Sequence, residues 1–589
     1  MNNEGLCNLN IMKDLSLSFY TNVVAGLRNN WVLICLTVLA LVSRVFLTTI
    51  SLGEVDSGNF CNALKYGYDI SHFRPHAPGY PIFVFMAWPL YLMTTDCITS
   101  LALVSAVLGA LVIIPFYLLV KTIVDGLIAF IGSVALIVNP LHWTFSEAML
   151  SDVPSTFFVV LSAYLVYRGR SCDWSFLLGC ASMSIAIGVR PANVCMVLLL
   201  AVPLIFRWRD ENTFPGGVLL KGIGMFAGIS CLWFFPAVFL GSDGLSAFFG
   251  ALQKQWLNAV AVGDISQLGS PWIINLVYRL ERFALGYLVL YPWTGSDIKS
   301  SVTLLLCAPV ILGFIGFVCS WNRTNSDHIF ISIWLITIIY PICTIHFLPR
   351  YGIPYIPIFL ICILVGYQYL CAICRMRRGS IELVFLLALG TVLLLYIVKL
   401  QEPVSSFEVS TPNQPIYIAL LLLLFVTTIL LTRIRFQNWY RLVGNLRMGV
   451  SGVPPSWLNL KYIALLLVVP YAIIGYTNAS VAHHINSPGY QLVIDVTKQY
   501  ESEGTVVCWD NQTHSIFESI APQFQIAGRL TADNLYDGYE NGLVVVMTDR
   551  CQWFEDISVD LNPIVIGTYS GSSPVWSKAP EITSLVAIR

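Results

Sequence analysis

Long runs of apolar residues recur along the chain and predict its architecture. The first run covers residues 31–50, and residues 101–120, 416–432 and 462–474 are further examples. These runs approach or reach the roughly 20 apolar residues that a helix needs to cross a bilayer. The pattern predicts an all-α polytopic membrane protein with about 13 transmembrane helices, embedded in membrane lipids. The first run is too long for a cleaved signal peptide, so we expect it to be a retained span.

One apolar segment, residues 80–93, is too short to be assigned as a full span. If it crosses the membrane completely, Asp56 and Asp152 lie on opposite faces. If it is a partial or tilted crossing, or if the neighbouring spans have other boundaries, both acids lie on one face. We expect the second arrangement, with the acidic residues on one outer face.

Basic residues give the orientation of the spans. Lys13 and Arg28 precede the first span and place the N-terminus in the cytoplasm, because cytoplasmic loops carry an excess of Lys and Arg. Further basic clusters fall on the same side: Arg168/Arg170, Arg207/Arg209, Arg375/Arg377/Arg378 and Arg433/Arg435/Arg441/Arg447. The outer side then carries the loops at 51–80 and 241–300 and the span ends near Asp152, Arg190 and Arg350.

The character of the chain changes at residue 480, where charge density rises and no further membrane-length run follows. Residues 505–508 and 543–547 have the pattern of short buried strands, and residues 564–568 are a candidate third. We therefore divide the chain into a transmembrane module (1–479) and a small C-terminal α/β domain outside the membrane (480–589).

Composition supports the membrane class and excludes several functions. The chain is 57% apolar and 11% charged, whereas soluble proteins carry about 25% charged residues. Its net charge of −1 gives no basis for binding nucleic acid. Its 16 cysteines lie mostly in apolar runs, where Cys acts as a small hydrophobe. Cys371 and Cys374 have no second pair to complete a zinc site. No cofactor is indicated, and a divalent cation is left open.

Ionisable residues gather at the predicted outer ends of the spans, where such groups are functional candidates. Transfer of a group from a phosphate-linked donor needs a base that activates the acceptor and cations that hold the leaving phosphate. Arg suits phosphate because its planar fork donates two parallel hydrogen bonds. The candidates are Glu54, Asp56, His76, Glu147, Asp152, Arg190, Arg350 and Tyr351.

Several of these residues also have purely structural interpretations. Asp152 precedes a Pro-containing helix start and fits a helix cap, and Asp56 could open a short helix in the same way. Arg350 could anchor to lipid headgroups, and His76 could be an ordinary loop residue. Arg44, near the end of the first span, is expected to extend its charged end to the interface.

The motifs resemble the GT-C superfamily of membrane glycosyltransferases, in the branch of protein O-mannosyltransferases and aminoarabinose transferases. The residues that carry the resemblance are Asp56-Ser57-Gly58, His76-Ala77-Pro78-Gly79-Tyr80-Pro81, Glu147, Asp152 and Arg350-Tyr351. Two positions depart from the family pattern: Ser57 stands where the mannosyltransferases have Glu, and Ala77 replaces a Pro. The sub-family and the sugar therefore stay open.

The resemblance implies a hexosyl- or pentosyltransferase that uses a polyprenyl- or dolichyl-phosphate sugar. Asp56 would be the catalytic base, Asp152 a second active-site acid, and Arg350 a contact of the lipid phosphate. The acceptor would be a protein, a lipid or a glycan, reached from the periplasm, the exterior or the lumen of the endoplasmic reticulum. We expect the other candidates to bind substrate: Glu54, His76, Glu147, Arg190 and Tyr351.

Other interpretations compete with this one. Many spans also suit a secondary transporter or lipid flippase, although such proteins usually show inverted repeats and mid-membrane charges. A non-catalytic scaffold on the same fold is a third interpretation. Within the glycosyltransferase interpretation, we expect the domain at 480–589 to pack over the outer loops, including 241–299, and to select or position the acceptor.

Overall fold

A computed structural model describes residues 30–49, 52, 55–212, 214–242, 244–263, 313–321, 325–339 and 349–374, the single residues 468, 472 and 476, and five strands between 505 and 587. The helices of this part are α1 (Asn30–Val45), α2 (Val55–Tyr66), α3 (Pro81–Thr94), α4 (Cys97–Leu111), α5 (Ile113–Ile123), α6 (Gly126–Val138), α7 (Pro140–Glu147), α8 (Asp152–Arg168), α9 (Asp173–Val189), α10 (Ala201–Glu211), α11 (Gly216–Gly241), α12 (Leu245–Gly263), α13 (Ser326–Ile336) and α14 (Ile356–Cys374). Residues 313–320 are also helical. Short 3₁₀ helices occur at Ile70–His72, Pro191–Leu200 and Pro349–Tyr355.

Several helical stretches of the described part are long and apolar enough to cross a membrane: Cys97–Ile123, Pro191–Asp210, Gly216–Phe239 and Arg350–Tyr369. Helices α6 and α7 pass the same test as a pair that bends by 52°. These stretches agree with the predicted multi-pass membrane protein. The predicted count of about 13 spans also draws on residues outside the described part.

The bend between α6 and α7 has a local cause. Pro140 disfavours helical backbone at the preceding residue, and Asn139 accordingly has a ψ of 122°. The Asn139 side chain accepts a hydrogen bond from the His142 amide and so caps α7. The break in α6 therefore becomes the start of a new helix that leads to the second acidic segment.

Helix α3 is the segment whose crossing is ambiguous from the sequence. It has 14 residues, which at about 1.5 Å per residue span about 21 Å, less than the roughly 30 Å of a hydrocarbon core. It packs against α2, α4 and α9. Its length fits the expected partial crossing.

Helix α4 packs closely on the turn that carries the second acidic segment. The Ser105 hydroxyl donates a hydrogen bond to the Leu150 carbonyl at 3.1 Å. One turn later, a Cβ on Gly109 would lie 2.5 Å from Ser146 Oγ and 3.0 Å from Val153 Cγ1. A side chain at position 109 would therefore push α4 away from the start of α8, where Asp152 lies.

A disulfide joins Cys61 of α2 to Cys97 at the start of α4. Both residues are buried. The interpretation of the cysteines as mostly small hydrophobes does not apply to this pair. The bond ties the helix that carries Asp56 to the beginning of a membrane-length helix.

The C-terminal region contains a five-stranded mixed sheet in the order β2-β1-β3-β5-β4. Strand β1 pairs in parallel with β2 and β3, and β5 pairs antiparallel with β3 and β4. The strands are β1 (Thr505–Cys508), β2 (Gln525–Arg529), β3 (Val544–Met547), β4 (Ile564–Ser570) and β5 (Ile582–Ala587).

The three strands predicted from the sequence coincide with β1, β3 and β4. Strands β2 and β5 are additional. Parallel pairing needs crossover connections, which are usually helical. Those connections lie outside the described residues, so the α/β class and the boundary at residue 480 stay predictions.

Candidate active site

Asp56 lies in the first turn of α2, where the helix dipole favours a negative charge. Its Oδ2 accepts a hydrogen bond from Arg350 Nη2 at 2.5 Å. Its Oδ1 lies 3.3 Å from Nδ1 of His76. The loop before α3 and the 3₁₀ helix Pro349–Tyr355 thus each bring one polar side chain to the same carboxylate.

Each ring nitrogen of His76 has a polar neighbour: Nδ1 faces Asp56 of α2, and Nε2 faces the end of the loop before α3. His76 Nε2 lies 3.2 Å from the hydroxyl of Tyr80, and the Tyr80 ring packs edge-on against Phe60 of α2, with centroids 5.3 Å apart. Gly79 has a φ of +102°, and a Cβ there would overlap the Tyr68 hydroxyl. Glycine therefore allows the close turn that aims His76 at Asp56.

The charges of the cluster fix the protonation of Asp56 and His76. Burial raises the pKa of Asp56, but the charges of Arg350, His76 and Arg190 outweigh it and lower this pKa to about 2. Burial, reinforced by the two arginines and opposed by Asp56, lowers the pKa of His76 below its usual value. At neutral pH Asp56 is ionised and His76 is neutral. An ionised carboxylate cannot donate, so the proton of the neutral ring belongs on Nδ1, which faces Asp56, and Nε2 accepts from the Tyr80 hydroxyl.

A second acid–arginine pair lies at the starts of α8 and of the 3₁₀ helix Pro191–Leu200. Arg190 Nη2 is 3.0 Å from Asp152 Oδ1, and Arg190 Nη1 donates to the Ser151 hydroxyl at 3.2 Å. Ser151 takes the N-cap position of α8. The interpretation of Asp152 as a helix cap is therefore wrong, because its side chain faces Arg190.

Tyr351 connects the two pairs. Its ring centroid is 4.9 Å from the guanidinium carbon of Arg190 and 5.9 Å from that of Arg350. Both distances are within the range of cation–π attraction. The aromatic ring holds the two positive groups on one site, next to two carboxyl groups that balance their charge.

The two acids differ in access. The Asp56 side chain is 16% exposed, whereas the Asp152 side chain is 0% exposed. An incoming acceptor can reach Asp56 but cannot reach Asp152 without rearrangement. Asp152 can act on the site through Arg190, whose charge also reaches Asp56.

The structure brings together most of the residues selected from the sequence. Because Asp56 and Asp152 share this cluster, α3 does not separate them across the membrane. Arg350 is bound to Asp56, and its side chain is 7% exposed, which does not fit a headgroup anchor. Tyr80 and Ser151 are additional members, and Tyr80 belongs to the 76–81 motif from which only His76 was selected as a candidate. The converging candidates are Asp56, His76, Asp152, Arg190, Arg350 and Tyr351.

Glu147 lies apart from this cluster. It is completely buried, and the charge that acts on it is that of Arg44 in α1. Arg44 is also 0% exposed, and its Nη2 donates to the Ile137 carbonyl at 2.7 Å. The expectation that Arg44 extends to the interface is therefore wrong. The Thr49 amide donates to the Glu147 carbonyl, which joins the end of the first span to α7.

Two further expectations concern Glu54 and a metal ion. Glu54 lies outside the described residues, so its role stays a prediction. Among the described residues, no group of three or more His, Cys, Asp or Glu side chains could hold a metal ion.

A family model of dolichyl-phosphate-mannose-protein mannosyltransferases matches residues 89–243 of the chain. This stretch contains Asp152 and Arg190 but not Asp56 or Arg350. No curated protein sequence matches the chain.

Solved structures match nearly the whole chain. ArnT from Cupriavidus metallidurans in the apo state is 14% identical, with 95% of this chain and 98% of that chain covered and a TM-score of 0.52. The same protein bound to undecaprenyl phosphate gives 13% identity, the same coverage and the same TM-score. An Archaeoglobus fulgidus oligosaccharyltransferase tethered with an acceptor peptide is 13% identical, with 91% of this chain and 71% of that chain covered and a TM-score of 0.51. The resemblance seen in the motifs is thereby confirmed at the level of the fold.

Proposed function

With the fold of the GT-C membrane glycosyltransferases as the premise, we propose that this protein transfers a sugar from a polyprenyl- or dolichyl-phosphate donor to an acceptor. The observation that carries the proposal is the convergence of Asp56, His76, Arg190 and Arg350 from four separate elements. A reachable carboxylate beside two buried guanidinium groups combines a base with a site for a leaving phosphate.

The reaction follows from this arrangement. The acceptor oxygen or nitrogen attacks the anomeric carbon of the sugar, and the bond from that carbon to the phosphate oxygen breaks. Asp56 takes the proton that the acceptor loses. The electron pair of the broken bond stays on the polyprenyl phosphate, whose negative charge grows by one. Arg350, with Arg190 nearby, stabilises that growing charge.

The donor class is supported by a relative and by the chemistry of arginine. The similar ArnT structure is bound to undecaprenyl phosphate, and a guanidinium group binds phosphate through two parallel hydrogen bonds. The matching family model is that of dolichyl-phosphate-mannose-protein mannosyltransferases, which makes mannose the first sugar to test. The acceptor is a protein, a lipid or a glycan.

We place the site on the non-cytoplasmic face. The Cys61–Cys97 disulfide adjoins the helix that carries Asp56, and disulfides form and persist in oxidising compartments. Asp152 begins α8, whereas Arg168 ends this helix and Arg170 follows it. Basic residues at this opposite end are expected for a cytoplasmic loop. The site would thus face the periplasm, the exterior or the lumen of the endoplasmic reticulum.

The remaining candidates take supporting parts in this proposal. Tyr351 holds the two arginines, and Asp152 holds Arg190. We propose that the region at 480–589 helps to position the acceptor, as expected from its predicted side of the membrane. Deleting it would then reduce transfer to the acceptor more than hydrolysis of the donor.

The test uses the full chain in proteoliposomes with a set of radiolabelled polyprenyl-phosphate sugars, beginning with mannose. Wild-type protein should release polyprenyl phosphate and label an acceptor. Asp56→Asn keeps the shape of the side chain and should abolish transfer. Asp125→Asn is the matched control, because Asp125 is exposed and its side chain makes no capping bond to α6. Movement of the lipid without cleavage of the sugar–phosphate bond would instead indicate a flippase.

A further inference from the structure

The guanidinium group of Arg350 is bound to the Asp56 carboxylate. Its Nη2 is 2.5 Å from Asp56 Oδ2, and the arginine side chain is 7% exposed. In the proposed reaction the same guanidinium group faces the donor phosphate. One buried cation is thus shared between the base and the leaving group.

We infer that the Asp56 carboxylate occupies the place on Arg350 that the donor phosphate takes when it binds, so that donor binding releases the base. This inference rests on the proposed function and adds an order to it: the acceptor is activated only after the donor is bound. It also makes Asp56 an internal competitor of the lipid phosphate.

The physical basis is the repulsion between two anions at one cation. A carboxylate and a phosphate beside Arg350 repel each other, and water screens them little because the site is largely buried. Any weakening of the bond between Arg350 and Asp56 makes the carboxylate more basic, since that bond is a main cause of its low pKa. By linkage, the factor by which the phosphate strengthens the base equals the factor by which the ionised base weakens phosphate binding.

The same relationship acts on the product. After transfer, Asp56 carries the acceptor proton and is neutral, while the polyprenyl phosphate has gained a negative charge. Arg350 then binds the phosphate without competition. When Asp56 loses its proton to water, its charge returns, and it displaces the product from Arg350. The carboxylate would therefore act at both ends of the cycle.

The test measures the affinity of undecaprenyl phosphate for the full chain in nanodiscs at neutral pH. Asp56→Asn removes the competing charge and should tighten binding about tenfold, within the usual range of couplings between sites. Arg350→Gln should weaken binding, and Asp125→Asn should leave it unchanged. Undecaprenol, which lacks the phosphate, should bind wild type and Asp56→Asn equally.

The outcomes separate this inference from the proposed function. Equal or weaker binding of undecaprenyl phosphate by Asp56→Asn would overturn the inference, while wild-type transfer activity would leave the glycosyltransferase proposal intact. Absence of both lipid-phosphate binding and transfer in wild type would overturn the proposed function and the inference with it. An equal gain in undecaprenol affinity would also overturn the inference, because the effect would then not depend on phosphate.

Discussion

Arg190 Nη2 lies 3.0 Å from Asp152 Oδ1, at a point where the Asp152 side chain is completely buried. No hydrogen bond of good geometry from the described residues reaches either oxygen of this carboxylate. The ion pair is therefore its main compensation for leaving water. Breaking a buried pair by removing one partner leaves the other charge uncompensated.

Asp152→Asn should lower both stability and activity. The free energy of unfolding should fall by about 3 kcal/mol, because Arg190 stays buried without its partner. Transfer should fall as well, because Arg190 would lose its fixed position beside Tyr351. Denaturant unfolding in detergent and the proteoliposome transfer assay measure the two effects.

The double variant Asp152→Leu with Arg190→Met separates these roles. An apolar pair of similar volume removes both buried charges and should recover most of the stability. It should not recover transfer, because the site has lost a cation. If the double variant were both stable and fully active, Arg190 would have no part in the chemistry.

His76 gives a matched pair of substitutions. In His76→Asn the amide nitrogen lies near the position of Nδ1 and can still donate to Asp56. In His76→Gln the amide lies near the position of Nε2 and reaches toward Tyr80 instead. We expect Asn to retain more transfer activity than Gln, by about tenfold if one hydrogen bond to a charged group is decisive.

Tyr80→Phe is the control for the histidine pair. It removes the hydroxyl that donates to His76 Nε2 but leaves the contact with Asp56. A small loss, worth about 1 kcal/mol for one neutral hydrogen bond, is expected in the rate. Equal activity of His76→Asn and His76→Gln would show that orientation of Asp56 by Nδ1 is unimportant.

The low pKa of Asp56 predicts how stability responds to acid. Its folded pKa of about 2 lies below the ordinary value of 3.8 for an Asp side chain, so its ionisation contributes stability above the unfolded value. That contribution is lost as the pH falls from about 4 through about 2. Unfolding midpoints of wild type should therefore decline more steeply than those of Asp56→Asn in this window. Parallel curves for the two proteins would contradict the strong bond to Arg350.

The Cys61–Cys97 disulfide should be measurable in protein isolated without reductant. It closes a separation of 36 residues, for which loop entropy predicts about 4 kcal/mol of stabilisation. Reductant should lower the unfolding temperature of wild type but not that of the Cys61→Ser, Cys97→Ser double variant. Free thiols at both positions in unreduced protein would remove this support for a non-cytoplasmic site.

The sequence predicts the set of site residues better than their pairing. Apolar runs identify helices because crossing a bilayer demands length, and even the short run at 80–93 is recognised as unusual. The motifs select Asp56 and Arg350, yet their bond joins residues 294 positions apart. Which faces of distant helices meet depends on packing, and no local pattern encodes it. For the same reason Arg44 is misjudged, because its partners lie in α6 and α7.

Glu147 is the selected residue whose position most changes its interpretation. Neither of its carboxylate oxygens has a hydrogen-bond partner within the described residues, and the charged group that acts on it is the guanidinium of Arg44. We therefore expect Glu147→Gln to lower stability, because Arg44 then stays buried without a counter-charge. The donor KM of the folded fraction should be unchanged. A raised KM at unchanged stability would restore the role of Glu147 in substrate binding.

The decisive variant replaces both members of this pair, Arg44→Met with Glu147→Met. Two apolar side chains of similar size remove both buried charges, and they should recover stability. Activity should return with it, because neither residue contacts Asp56, Asp152 or their arginines. This is the opposite of the result expected for the Asp152–Arg190 pair, in which stability returns without transfer. Comparing the two double variants in one assay thus distinguishes a pair that stabilises the fold from a pair that takes part in transfer. An Arg44→Met, Glu147→Met protein that is stable but inactive would contradict this distinction.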